Sequence, residues 1–179
     1  MTNPLKYTCL FGGGAIRGMA YIGTIRALEE LNIEYDIIGG SSVGSIMAAL
    51  VACGYKSYEL ENLFMKVNFD LFKDIHLGFG KPFALSKGEI FLDWLNELLA
   101  KKINVHGNNI TFKDLEQKLV IITTDLTKFG SQEFSALTTP DFEIAQAIKI
   151  SSSMPGLMAP YEYNDSYLVD GDLQKASPM

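Results

Sequence analysis

Between Ile37 and Tyr55 the chain carries no charged residue. A stretch of this kind has to be buried, and its length alone would suit a membrane span. Four glycines (Gly39, Gly40, Gly44, Gly54) and three serines (Ser41, Ser42, Ser45) interrupt it, however. A buried strand over Asp36 to Gly40, a sharp turn, and a helix from Ser45 to Cys53 that is apolar nearly all round account for it better. The turn itself reads Gly40-Ser41-Ser42-Val43-Gly44, a G-x-S-x-G pattern between a strand and a helix.

The surrounding sequence repeats the strand-then-helix alternation. Tyr7 to Phe11 is a short apolar run ending in Gly12-Gly13-Gly14, and Arg17 to Leu31 places Ala20, Ile25, Leu28 and Leu31 at helical spacing. Val120 to Thr124 is a β-branched run suited to a central parallel strand. Leu92 to Leu99 predicts an amphipathic helix, Phe142 to Ile150 another, and Tyr167 to Val169 a last strand leading into Asp170-Gly171. The expected fold is a three-layer α/β/α sandwich with a mainly parallel central sheet. Between Glu59 and Thr111 the pattern is less regular. Leu60 to Leu85 is rich in phenylalanine without a steady period (Phe64, Phe69, Phe72, Phe79, Phe83), which marks it as a candidate lipid-facing cap.

The G-x-S-x-G turn has a chemical use. A nucleophilic serine on a strained strand-to-helix turn exposes its hydroxyl, and the crowding around it admits only small neighbours, here Gly40 and Gly44. The helix after the turn points its free N–H groups at the same place, where they favour developing negative charge. Gly12, Gly13 and Gly14 supply a second row of backbone amides for a tetrahedral oxyanion, with Arg17 and Gly18 supporting that loop. A dinucleotide-binding turn fails on spacing. From Gly12 the last glycine of G-x-G-x-x-G would be Arg17, and from Gly13 the second would be Ala15. The base is the remaining question. His76 lies in the phenylalanine-rich segment and His106 in a polar turn, so neither comes directly after a predicted strand, whereas Asp170 does. A Ser42–Asp170 pair is chemically sound if burial raises the basicity of the carboxylate.

Gly12 to Gly18, Gly40 to Gly44 and Asp170-Gly171 resemble the oxyanion loop, nucleophile elbow and Asp-Gly motif of patatin-like phospholipases. Thr123 to Leu126 and Ala147 to Pro160 are similar to further segments of that family, so the resemblance runs in order through nearly the whole chain. It implies a Ser–Asp dyad without histidine and hydrolysis of acyl esters of phospholipids or related lipids. Ala15 stands where many members have a third glycine, Asp172 where a Gly or Ala is usual, and Lys175 where an Asn is common. Members also continue through further helices after the aspartate. The resemblance therefore implies one domain over residues 1–179 lacking the usual C-terminal portion.

Composition narrows the partners. The net charge is −6 and the pI about 4.9, which disfavours nucleic acid, since a phosphate-backbone binder needs clustered Lys and Arg. Lys66, Lys73 and Lys81 would have to share a face to attract an anionic bilayer. The expected partner is a phospholipid or other lipid ester, with transient contact at a membrane surface. Cys9 and Cys53 sit in or beside apolar runs as reduced thiols, and no metal or cofactor is expected. Met1 to Leu10 lacks the features of a secretion signal, which gives a cytoplasmic expectation. The rival to an enzyme is an inactive module of the same fold that binds lipid or protein. A Ser-His-Asp triad would need a histidine after the acid, and the sequence has none beyond Asp170.

Overall fold

The structure is a computed structural model that describes residues 7–68, 86–103 and 109–173. His76, His106, Lys73, Lys81, Lys175 and the cap phenylalanines Phe69, Phe72, Phe79 and Phe83 lie outside the described residues.

Strands β1 (Tyr7–Phe11), β2 (Tyr35–Gly40) and β3 (Lys118–Asp125) pair in parallel. β4 (Gly130–Ser135) and β6 (Ser166–Val169) run antiparallel to β3, and β5 (Tyr161–Tyr163) runs antiparallel to β6. Four of the six described strands, β1, β2, β3 and β5, thus point the same way. Five helices accompany them: α1 (Ala20–Glu30), α2 (Val43–Ala52), α3 (Ser57–Lys66), α4 (Glu89–Ala100) and α5 (Ile144–Ser151). The result is an α/β sandwich.

The uncharged stretch resolves as expected. β2 ends at Gly40, and α2 begins at Val43. Met47, Ala48, Ala49 and Leu50 of α2 are fully buried against β1, β2 and β3, where the two alanines let helix and sheet approach closely. No described helix is long and apolar enough to cross a membrane.

Four elements differ from the expectation, one of them β5, which no expected strand covers. The helix expected from Arg17 opens instead with a 3-10 turn over Ala15–Met19, because the glycine loop must first reverse the chain after β1. β4 carries no strand signal in its sequence, because Gly130-Ser131-Gln132-Glu133-Phe134-Ser135 is mostly polar, yet it pairs along six residues of β3. The first part of the supposed cap is a regular helix, α3. Its Leu60 and Phe64 are buried, and their helical spacing is plain once Ser57–Lys66 is separated from the phenylalanines later in the segment. Ser57 ties it to α1, donating its hydroxyl to Glu29 at 2.6 Å.

The register of β3 brings the functional segments together. β2 covers Lys118 to Ile121 of β3, and β6 arrives from the opposite direction to cover Thr124 and Asp125. β4 pairs with residues from both groups, so β2 and β6 share the other edge and meet nearly head to head beside Ile122 and Thr123. The chain segments leaving β2 and β6, which carry Ser42 and Asp170, therefore emerge at one point.

Candidate active site

Ser42 adopts φ 50° and ψ −129°, a left-handed conformation that costs a residue with a Cβ about 1–3 kcal/mol and persists only under strong local constraint. That constraint is visible in hydrogen bonds. The Ser41 N–H donates to the Phe11 carbonyl (3.2 Å), which locks the elbow to the end of β1. The Ser42 N–H donates to the Ser151 hydroxyl (3.0 Å), which in turn donates to the Ile122 carbonyl (2.6 Å). The Ser42 carbonyl accepts from the Ser45 N–H (2.9 Å) and the Ser45 hydroxyl (2.6 Å). Sterics do the rest: a Cβ on Gly44 would lie 2.1 Å from the Phe11 carbonyl oxygen, and one on Gly40 2.3 Å from the Gly44 carbonyl oxygen.

The Ser42 hydroxyl donates to Asp170 Oδ2 at 2.9 Å. Asp170 is held from three sides. Its N–H donates to the Ser153 carbonyl (2.9 Å), its Oδ1 accepts the Asp172 N–H (2.9 Å), and the carboxylate is almost wholly buried. Burial pushes its pKa above the ordinary carboxylate value. The Asp172 N–H and the Ser42 hydroxyl pull the other way, while the Asp172 charge adds to the rise. A carboxylate in this state can take a proton from a serine hydroxyl more readily than an exposed one.

Because β1 and β2 pair with Phe11 opposite Gly40, the Gly12–Gly14 loop lies beside the elbow. Gly14 has φ 149°, and no described group accepts from the N–H of Gly13 or Gly14. Such amides are free to bind an oxyanion. Tyr21 steadies the loop by donating its hydroxyl to the Gly12 carbonyl (2.9 Å). Arg17 contributes through its backbone, donating to the Gly14 carbonyl (3.1 Å), and its side chain is exposed. Gly18 packs under Val43 at the start of α2. Ala15 takes φ 50°, so the alanine that departs from the family pattern sits in a conformation better suited to glycine.

Asp172 also has a defined place. It accepts a hydrogen bond from the buried Ser41 hydroxyl, and its carboxylate lies over Gly13 in the space that a Cβ there would take. Ser42 and Asp170 open into a cavity of about 340 Å³ lined by apolar side chains from the glycine loop, α2, α3 and α4.

Sequence patterns do not point to Ser151, Ser45, Tyr21 or the structural part played by Asp172. Ser151 is visible in the sequence only as one of three consecutive serines, and no local feature distinguishes which of them faces the elbow.

The sequence matches the family described as patatin-like phospholipase over residues 10–178. The chain belongs to the patatin-like phospholipase family. Among its relatives in this family is a probable lipid hydrolase of Invertebrate iridescent virus 6, 31% identical over 191 residues, covering 99% of this chain and 63% of the viral protein. Another is the cGAMP-activated phospholipase of Vibrio cholerae, 28% identical over 99% of this chain and 56% of that protein. The chain thus spans about three-fifths of the length of such relatives. In fold it is similar to VipD from Legionella pneumophila, with a TM-score of 0.80 and 18% identity over 98% of this chain and 47% of VipD. ExoU of Pseudomonas aeruginosa, in its complex with SpcU, gives a TM-score of 0.65 and 24% identity over 86% of this chain and 39% of that chain.

Proposed function

We propose that this chain hydrolyses acyl esters of phospholipids or related lipids with Ser42 as nucleophile and Asp170 as base. The observation that carries the reading is the 2.9 Å hydrogen bond from the Ser42 hydroxyl to a buried Asp170, at the floor of an apolar cavity. Asp170 takes the hydroxyl proton as Ser42 Oγ attacks the ester carbonyl. The oxyanion that forms accepts hydrogen bonds from the Gly12–Gly14 loop, one such donor typically being worth about 10²–10³ in rate. Collapse breaks the ester bond, and the departing alcohol takes the proton from Asp170. Water then attacks the acyl-serine with Asp170 again as base, releasing the fatty acid and restoring the hydroxyl. The names of the viral and Vibrio relatives favour a lipid substrate.

The test is lipid profiling by mass spectrometry with purified wild-type and Ser42→Ala protein. Fatty acid released from phospholipid or lysophospholipid by the wild type alone is the expected result. Equal lipid profiles from the two proteins would contradict the proposal and leave a binding module of the same fold.

A further inference from the structure

The cavity above Ser42 has one closed side and one open side. Phe64 of α3 and Phe91 of α4 line it and are buried, whereas Ile16, Met154 and Leu157 line it and are exposed. Between Phe64 and Phe91 stands Trp94, stacked on Phe91 with ring centroids 6.0 Å apart and edge-on to Phe64 at 6.3 Å. Val43 and Ile46 of α2 complete the apolar lining beside the serine. This wall is built by helices α3 and α4, outside the strands and turns that hold Ser42 and Asp170.

Resting on the hydrolase reading above, we infer that this cavity takes a single acyl chain and that Trp94 sets how much of it enters. At about 340 Å³ the cavity lies at the small end of the roughly 300–1,000 Å³ range of ligand sites, which suits one chain. A chain too long for it leaves its end among the exposed Ile16, Met154 and Leu157. Each methylene that enters the cavity is worth roughly a fourfold gain in kcat/KM, and the gain stops when the chain meets the aromatic wall.

Trp94 is the chain's only tryptophan, so its emission reports on the cavity directly. Titrating Ser42→Ala protein with sodium butyrate, octanoate and decanoate below micelle-forming concentrations should give a saturable change in Trp emission for decanoate, a weaker affinity for octanoate and none for butyrate. No change with any of the three, or equal affinity for all, would overturn the inference. This readout needs no turnover, so it stands or falls separately from the hydrolase proposal.

The length-setting part is read in ratios of kcat/KM for p-nitrophenyl esters from two to sixteen carbons. Trp94→Ala should move the optimum to longer chains, raising the ratio of C16 to C10 about tenfold or more. Ile46→Phe, which fills the cavity beside the serine, should move the optimum to shorter chains. Ratios are unaffected by loss of folded protein, since both substrates report on the same active fraction. An unchanged optimum in both variants would refute the assignment of Trp94 and its cavity.

Discussion

Ser151 offers the sharpest perturbation of the elbow. Its hydroxyl is fully buried and bridges the Ser42 N–H to the Ile122 carbonyl at 3.0 and 2.6 Å. Ser151→Ala removes both bonds and leaves a donor and an acceptor without partners. An unsatisfied buried polar group costs about 1–3 kcal/mol, and a carbonyl is the cheaper of the two to leave short, so the pair amounts to roughly 2–4 kcal/mol. For a domain of this size each kcal/mol moves the melting temperature about 2–4 °C, which gives a fall of roughly 5–15 °C. The left-handed Ser42 then loses one of its restraints, and a small misplacement of a reacting atom can cost on the order of 100-fold in rate. Thermal melts and kcat per active site, the sites counted by fluorophosphonate titration, measure the two effects. Ser153→Ala is the control, because its hydroxyl donates to the Lys149 carbonyl, away from the elbow. A Ser151→Ala protein that melts and turns over like Ser153→Ala would refute the claim that this bridge holds the nucleophile.

Asp170→Asn should abolish hydrolysis yet raise the melting temperature at neutral pH. Burial raises the Asp170 pKa in the fold, so its charge costs the folded state stability above that pKa, a cost absent below the ordinary carboxylate range. The stabilisation in melts of Asp170→Asn should accordingly shrink as the pH falls into that range. Asp172→Asn keeps an acceptor for Ser41 but removes the charge that helps raise Asp170, so the acid limb of its kcat/KM profile should move to lower pH. Gly44→Ala forces a Cβ to within 2.1 Å of the Phe11 carbonyl oxygen. It should cost about 1–3 kcal/mol in denaturant melts and prevent fluorophosphonate labelling. Replacing His76 and His106 together with Gln should leave ester hydrolysis within a few-fold of wild type, whereas a dead double variant would point to a histidine base.

Much of this site is legible in the sequence because its parts are local. The strand ending at Phe11, the glycine loop, the elbow and Asp170 each announce themselves within a few residues, since backbone strain and close approach demand particular residue types at particular offsets. The boundaries of β1 and β2 fall within one residue of those expected for the same reason. What no local pattern carries is long-range. That β6 meets β2 along one edge of β3 depends on register, which no single segment encodes. The roles of Ser151 and Asp172 likewise depend on which side chains face the elbow after folding. β4 is hidden because a polar strand at the edge of β3 lacks the apolar pattern by which strands are recognised. α3 is hidden because its Leu60, Leu63 and Phe64 merge with the phenylalanines beyond them.

The central claim is that Ser42 is the residue that becomes acylated. Fluorophosphonate treatment with peptide mapping in a mass spectrometer tests it most directly, using wild type, Ser42→Ala and Ser41→Ala. One adduct per chain on the Ser42 peptide, retained in Ser41→Ala and lost in Ser42→Ala, is the predicted result. An adduct that persists in Ser42→Ala, or that maps to another serine, would contradict it.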